Sequence, residues 1–116
     1  MTAPADHSLA LIDAYNRRDA TTIEAMLHPD IVYIRPGPRR ARSTDSIVRL
    51  YQSDWERNDA TIAVRSTLAQ GDRVAVEIEV TFPAGQVLQG AAFHRWDGHL
   101  LAEYRAYLDP PASSSG

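Results

Sequence analysis

Three side chains of the types that transfer protons and bind anions stand out in this sequence of 116 residues, namely His94, Asp54 and Arg35. The unperturbed pKa of histidine, about 6.5, would let His94 exchange protons near neutral pH. Asp54 could orient His94 or act as a base itself. Arg35 could bind a carboxylate, a phenolate or an enolate through two parallel hydrogen bonds. Together the three side chains would make a proton-transfer site.

Each of these residues also has a structural interpretation. His94 could be a strand histidine that is hydrogen-bonded to the backbone or exposed beside a turn. Asp54 could be a solvated carboxylate on a mixed helix face. Arg35 could pair with an acidic residue such as Asp54 as structural support. The residue types alone leave these alternatives open.

The residues present exclude several other chemistries. The chain has no cysteine, so it can form neither disulfides nor thiolate zinc sites. All 12 basic residues are arginine, which excludes a Schiff-base lysine. The four histidines include no pair at the spacing of helical metal ligands, and no phosphate loop, nucleophile elbow or dinucleotide fingerprint is present. We therefore expect neither a metal nor a cofactor.

Length and composition predict one globular domain, residues 1–109, followed by a disordered tail, residues 110–116. Apolar content of 44% and charged content of 23% are ordinary for a soluble chain. The net charge of −3 gives no reason to expect a nucleic-acid partner. No apolar run approaches the ~20 residues of a membrane helix, and the N-terminus lacks the layout of a secretory signal. We therefore expect a cytoplasmic protein, and the arginine-only, alanine-rich usage is typical of a bacterial source.

Three helices are predicted in the first half of the chain. The first spans residues 7–18, and the third spans residues 45–57. The second begins at Thr21 or Thr22 and is ended by Pro29, because the residue before a proline is pushed out of the helical region. The apolar positions expected to face the core are Leu9, Leu11, Ile12, Ala14 and Tyr15 in the first helix, Ile23, Ala25, Met26 and Leu27 in the second, and Ile47, Val48, Leu50, Tyr51 and Trp55 in the third.

Strands are predicted at residues 31–35, 61–69 and 73–82, where β-branched and aromatic residues are frequent. A basic stretch, residues 39–42, follows the first strand and is expected to form a loop. That loop could bind a phosphate or be merely solvated. The last stretch, residues 86–109, should form a hairpin.

The final hairpin and the strand before it define the expected faces of the sheet. Asp97-Gly98 between two apolar runs predicts a type I′ turn, in which both central residues have positive φ. Alternation along residues 73–82 puts Val74, Val76, Ile78 and Val80 on the core face and Glu77 and Glu79 on the outer face. The core face of the last strand should carry Leu100, Ala102, Tyr104, Ala106 and Leu108.

Helices followed by a run of hairpins predict an α+β fold. Three N-terminal helices would pack in the concave face of a curved, mostly antiparallel sheet. The hollow between the helices and the sheet would be a natural ligand pocket.

Three strings of the sequence resemble the nuclear transport factor 2-like superfamily: LIDAYNRRDATTIEAMLHPDIVYIRPG, FHRWDGHL and RAYLD. The resemblance spans roughly residues 7–109 and points to its SnoaL-like polyketide cyclases and ketosteroid isomerases. It implies a cone-shaped α+β barrel of the cystatin-like type and a homodimer formed through the outer sheet face.

The catalytic positions of those enzymes are not matched here. The proton-shuttling aspartate of ketosteroid isomerases falls on Arg35, their oxyanion-hole tyrosine on Leu11, and their protonated aspartate on Ala92. The late-strand aspartate of the SnoaL-like cyclases falls on Arg105 or Ala106. We therefore do not expect a ketosteroid isomerase.

If the resemblance sets the strand parity, one cavity contains the candidate catalytic residues His94, Asp54 and Arg35 together with mostly aromatic neighbours. The candidate ligand-binding residues are Tyr15, Tyr33, Tyr51, Trp55, Val76, Ile78, Trp96 and Tyr104. Such a cavity fits a small hydrophobic or aromatic ligand, flat or ring-shaped. For any one of the aromatic residues, core packing is the alternative.

Three functions follow as hypotheses. The first is a cofactor-independent enzyme that isomerises, cyclises, dehydrates or hydrolyses a small hydrophobic metabolite. The second is a non-catalytic ligand-binding domain. The third is a dimerisation domain with a filled core, whose working surface carries Glu77, Glu79, Arg105 and Tyr107. An open pocket with His94 in hydrogen-bond reach of Asp54 or Tyr33 favours the enzyme, whereas an open pocket with its polar groups paired among themselves favours binding.

Overall fold

The computed structural model describes residues 3–37, 39–41 and 43–109. In chain order the elements are α1 (Pro4–Asn16), α2 (Ala20–Met26), β1 (Leu27–Arg35), β2 (Arg39–Ala41), α3 (Thr44–Arg57), β3 (Thr61–Gln70), β4 (Arg73–Thr81), β5 (Val87–Asp97) and β6 (Leu100–Leu108). The predicted tail, residues 110–116, and Arg42 of the predicted basic loop lie outside the described residues.

The six strands form one sheet in the order β2-β1-β6-β5-β4-β3. Neighbouring strands are antiparallel except β1 and β6, which are parallel. Short turns suffice to join β3 to β6 in sequence, whereas the parallel partner β1 comes from the start of the chain, across a long connection. The α+β fold predicted from the order of elements is confirmed.

The predicted faces of β4 are also confirmed. Its four branched residues on one side, Val74, Val76, Ile78 and Val80, are at most 7% exposed. They belong to one apolar core to which the helices contribute Leu11, Ile12, Ala14, Ile23, Ile47 and Val48. Burial of this surface, at about 25 cal/mol per Å² of apolar area, is the main reason why the helices stay on this face of the sheet.

The first helix begins earlier than predicted, at Pro4. Proline is favoured at the first helical position because its fixed φ suits the helix and its missing N–H would have no partner there. Leu9, predicted to face the core, is 41% exposed. The buried stripe instead includes Ser8, a polar residue that the apolar periodicity did not indicate.

The second helix ends at Met26, and Pro29 lies inside β1 rather than ending the helix. The backbone of Leu27 is already extended, and its side chain is buried as a strand residue. Pro29 falls where the pairing of β1 with β6 is interrupted, between Leu27 and Val32, so its missing N–H disturbs no continuous ladder there. Ala25, predicted as buried, is exposed.

Part of the predicted basic loop is a strand. Arg39–Ala41 forms β2, which pairs antiparallel with the end of β1, and Arg35 is opposite Arg39. Gly37, with φ of 88°, turns the chain between the two strands. The prediction failed because a three-residue edge strand is stabilised by backbone pairing and needs no apolar pattern of its own.

The final hairpin has a different turn from the predicted one. Asp97 pairs with Leu100, so Gly98 and His99 are the central residues, and of the two only Gly98 has positive φ, 60°. Positive φ at the first central residue alone is the requirement of a type II′ turn. The type I′ prediction, with Asp97 as a central residue, was therefore wrong.

An irregularity in β6 changes the predicted parity at its start. Arg95 pairs with Glu103 and Trp96 pairs with Leu101, which leaves Ala102 as the extra residue of a bulge. Leu101, predicted to face outward, is therefore fully buried. Beyond the bulge the alternation proceeds as predicted, and Tyr104 and the residues after it at even positions face the core.

Candidate functional site

A chamber of about 250 Å³ lies between α1, α3 and the concave face of the sheet. Its walls are largely apolar and aromatic, and they include Tyr15, Tyr33, Tyr51, Tyr104, Ile78 and Val80. Strand alternation directs Tyr33, Ile78 and Tyr104 inward, while the helical spacing of α3 places Tyr51 one turn before Asp54. Arg35 and Asp54 also line the chamber.

The tyrosines form one packed cluster. The hydroxyl of Tyr33 donates a hydrogen bond to the hydroxyl of Tyr51 at 2.5 Å. The ring of Tyr33 stacks on Tyr104 with centroids 4.3 Å apart, and Tyr15 contacts Tyr51 edge-on at 5.5 Å. Burial raises the pKa of Tyr33 and Tyr51 well above the ordinary value, and it raises that of Tyr104 to about 12. The hydroxyl groups are therefore neutral hydrogen-bond donors at physiological pH.

Arg35 and Asp54 form a salt bridge between the end of β1 and the last turns of α3. The Nη2 atom of Arg35 donates to the Oδ2 atom of Asp54, and both side chains are about one-fifth exposed. Among the described residues that line the chamber, Asp54 is the only carboxylate. This pair is the one that the structural interpretation of Arg35 predicted.

His94 is held in a separate buried network. Its Nδ1 atom lies 2.7 Å from the hydroxyl of Ser8, and the indole Nε1 atom of Trp96 donates to the same hydroxyl at 2.9 Å. The hydroxyl oxygen of Ser8 therefore joins the imidazole of His94 to the indole of Trp96. Burial lowers the pKa of His94 to about 4. His94 is thus uncharged near neutral pH.

The predicted trio of His94, Asp54 and Arg35 does not form. His94 pairs with Tyr104 across the β5–β6 ladder, and Tyr104 pairs with Tyr33 across β6 and β1, so Tyr104 stands between His94 and the chamber. The ring of His94 stacks on that of Tyr104 at 5.4 Å. The condition set for an enzyme with a histidine base, contact of His94 with Asp54 or Tyr33, is not met.

The structure sorts the predicted ligand-binding residues into two groups. Tyr15, Tyr33, Tyr51, Ile78 and Tyr104 line the chamber. Three others lie elsewhere. Trp55 packs behind Tyr15 and Tyr51, Val76 is fully buried in the core, and Trp96 belongs to the Ser8 network.

Some chamber residues were missed by the sequence reasoning. Asn58 and Ala60 lie in the connection from α3 to β3, and their position depends on tertiary contacts that carry no sequence signal. Two others, Ile62 and Phe82, could have been found. Ile62 is on the inward side of β3, and Phe82 continues the inward side of β4. Their alternation with outward-facing neighbours was the available signal.

The outer face of the sheet carries both charged pairs and exposed aromatic rings. Phe93 and Tyr107, 44% and 56% exposed, contact each other edge-on at 6.0 Å. The predicted outward direction of Glu79 is confirmed by its salt bridge with Arg65 at 2.8 Å. A depression of about 400 Å³, larger than the chamber, lies beside Phe93. His94 is among the residues that line this depression, whereas no tyrosine and neither partner of the Arg35–Asp54 pair lines it.

The described part of the chain contains neither a cluster of metal-binding side chains nor a membrane-spanning helix. No three histidine, aspartate or glutamate side chains there come together as possible ligands of a metal ion. None of the described helices has the length and apolar character needed to cross a bilayer.

The fold and the chamber define a class of small α+β domains in which helices cover the concave face of a sheet and leave an aromatic cavity. The sequence profile of the SnoaL-like domain matches residues 9–104, and the chain belongs to that family. No curated protein sequence matches the chain significantly.

Solved structures share the fold at low sequence identity. IdmH of Streptomyces antibioticus, a candidate polyketide cyclase, is 20% identical with a TM-score of 0.81, covering 93% of each chain. A candidate ketosteroid isomerase of Kribbella flavida is 22% identical with a TM-score of 0.80, covering 92% of this chain and 81% of the other. An LEH-like epoxide hydrolase of M. tuberculosis is 21% identical with a TM-score of 0.78, covering 89% and 80%. Likeness at this level concerns the fold, which hosts many functions.

Proposed function

We propose that this protein binds a small, flat, largely apolar molecule in the tyrosine-lined chamber. The observation that carries the proposal is an open cavity in which two pairs of polar groups bind each other, Tyr33 with Tyr51 and Arg35 with Asp54. Polar groups that are already hydrogen-bonded to each other lose little free energy when a ligand displaces the water around them. Contact with the apolar walls can therefore supply the affinity. A volume of about 250 Å³ limits the ligand to one or two rings.

The ligand should carry one hydrogen-bond acceptor. Tyr51 accepts from Tyr33, which leaves the proton of Tyr51 free to be donated into the chamber that its side chain lines. Arg35 has more donors than its bond to Asp54 uses, so it could also contact an anionic oxygen. Phenols and cyclic ketones meet these requirements.

A second candidate function is proton-transfer catalysis on the same ligand class, with Asp54 as the base and Arg35 as the partner of the developing anion. It is favoured by the position of Asp54, the only carboxylate among the described chamber residues. The reaction would be a cofactor-independent isomerisation, cyclisation, dehydration or hydrolysis, and the structural neighbours include proteins named as an isomerase, a cyclase and a hydrolase. His94 has no part in this proposal, because it does not line the chamber and Tyr104 stands between them.

We also propose that two copies associate through the outer sheet face. Phe93 and Tyr107 would be buried at the centre, and the charged pairs around them would form the rim. A two-fold interface places the same patch on both subunits, so a mixed surface of arginine and glutamate can complement itself.

The binding proposal is tested by nuclear magnetic resonance of isotope-labelled protein with a panel of phenol, 4-nitrophenol, cyclohexanone and 1-tetralone. The chain has two indole N–H groups, one behind the chamber on Trp55 and one in the Ser8 network on Trp96. A ligand in the chamber should shift the Trp55 signal saturably and leave that of Trp96 almost unchanged. Saturation of neither signal by any probe would refute the proposal.

Two variants give the test its controls. Ile78→Phe places extra volume in the chamber and should weaken binding, whereas Val87→Phe adds the same ring type at an exposed strand position and should not. Asp54→Asn separates the two candidate functions. It should leave the binding of neutral probes intact under both, and it should abolish any turnover under the second.

A further inference from the structure

Two residues other than glycine adopt positive φ within the described part of the chain, Arg18 at 57° and Asp59 at 46°. Each follows the capping residue of a helix, Arg17 after α1 and Asn58 after α3. This left-handed conformation costs a residue with a Cβ atom about 1–2 kcal/mol. Both residues stand at the end of a helix, where backbone hydrogen bonds from Asp19 to Ala14 and from Asp59 to Asp54 accompany this conformation.

The side chains of these two residues contact each other. The Nη2 atom of Arg18 lies 2.5 Å from the Oδ1 atom of Asp59, and its Nη1 atom donates to the carbonyl oxygen of Ala60 at 2.8 Å. Beside them, the Asn16 amide donates to the carbonyl of Ile62 and accepts from the N–H of Ile62, both at 2.8 Å. We refer to Asn16, Arg18 and Asp59 as the clasp. It joins the end of α1 to the connection between α3 and β3.

The clasp adjoins one wall of the chamber. Ala60 and Ile62, which it binds through their backbone, both line the chamber. Tyr15 lines it too, and the guanidinium of Arg18 lies 5.7 Å from the centre of its ring and 5.9 Å from that of Trp55. Arg18 itself does not line the chamber.

We propose that Arg18 is a positioning residue for ligand binding, which holds Tyr15 and the Ala60–Ile62 wall at the separation that the ligand needs. The proposal rests on the proposed ligand-binding function. Arg18 contacts both of these walls, through its bond to the carbonyl of Ala60 and through the ring of Tyr15. The carboxylate of Asp59 is 68% exposed, so its pair with Arg18 adds little to global stability. We therefore expect loss of this ion pair to be seen in affinity rather than in global stability.

The test compares Arg18→Gly with Arg17→Ala, using the probe of the panel that wild-type protein binds most tightly. Glycine tolerates the positive φ of position 18, so this variant removes the side-chain contacts without adding strain. Arg17 is the neighbouring arginine, it pairs with Asp13 and Asp19 on the surface, and its removal changes the net charge by the same amount. We expect Arg18→Gly to raise Kd about fivefold. This value corresponds to a variant in which the wall has its binding-competent arrangement about one-fifth of the time. Arg17→Ala should leave Kd unchanged.

Hydrogen exchange of the Ile62 amide, measured without ligand, provides a readout that does not depend on binding. Faster exchange in Arg18→Gly but not in Arg17→Ala, together with the weaker binding, supports the positioning role. An unchanged Kd in Arg18→Gly, while Ile78→Phe weakens binding, overturns the role of Arg18 and leaves the binding function intact. Equal losses of affinity in both arginine variants also overturn it, since they indicate a general charge effect. Absence of any binding by wild-type protein overturns both proposals.

Discussion

The hydroxyl of Ser8 lies 2.7 Å from the Nδ1 atom of His94 and joins the first helix to the fifth strand inside the core. No charged side chain is among the described contacts of this imidazole, although Arg73 and Glu103 line the same surface depression as His94. Besides Ser8, the ring faces Trp96 on its own strand and Tyr104 on β6, and His7 of α1 contacts Trp96. Desolvation by burial is the only cause that lowers the pKa of His94.

The first prediction is that His94 makes the protein less stable in mild acid. The folded-state pKa of about 4 lies below the unfolded value of about 6.5, so the unfolded chain binds the proton first as pH falls. The contribution of His94 to the free energy of unfolding is complete above about pH 6.5. It decreases as the pH falls to about 4, by about 3 kcal/mol at most. Urea denaturation across this range measures it.

A comparison of two histidine variants isolates this contribution from that of the carboxylates. His94→Gln should lose the part of the pH dependence that falls between the two pKa values, whereas His99→Gln, at an exposed turn position, should keep it. Parallel stability curves for wild type and His94→Gln would contradict the assignment.

Ser8→Ala should destabilise the protein strongly although it removes one oxygen atom. The substitution leaves the Nδ1 atom of His94 and the N–H of Trp96 buried without partners, and each such group costs about 1–3 kcal/mol. We expect the free energy of unfolding to fall by about 2–4 kcal/mol. The exposed Ser66→Ala should change it by less than about 0.5 kcal/mol. A similarly small change in Ser8→Ala would mean that water replaces the hydroxyl.

Gly90→Ala should also be destabilising, because β5 and β6 approach closely there. A Cβ atom at position 90 would collide with the carbonyl oxygen of Tyr107 and lie 2.9 Å from the Cα atom of Leu108. Backbone atoms cannot move aside as a flexible side chain does, so we expect a loss of about 1–3 kcal/mol. Gln89→Ala, next to it and exposed, is the control. Denaturation that shows no difference between the two variants would indicate that the ladder adjusts.

How far the sequence predicts this molecule depends on the range of the interaction that decides each feature. The branched residues of β4 and the apolar side of α3 follow local periodicity, and both were predicted. The bulge at Ala102 and the strand Arg39–Ala41 depend on the pairing partner, which no local pattern encodes. The prediction failed at both of these places.

The candidate site shows the same limit. Strand parity correctly put His94 and Arg35 on the same side of the sheet. It could not tell that Tyr104 of β6 stands between them, because lateral order in a sheet follows from which strands pair. Nothing in the sequence pointed to Ser8 as a partner of His94, since serine residues are mostly exposed in proteins.

The last prediction concerns association through the outer face. Phe93→Glu would place a charge in the centre of the proposed interface, where an unpaired carboxylate would have to be desolvated. We expect this variant to sediment as a monomer at concentrations at which the wild-type protein is a dimer. Leu9→Glu is the matched control, because Leu9 is 41% exposed on α1, outside the sheet. It should leave the sedimentation coefficient unchanged. A wild-type protein that is monomeric at all concentrations, or a Phe93→Glu variant that remains a dimer, would exclude this face as the interface.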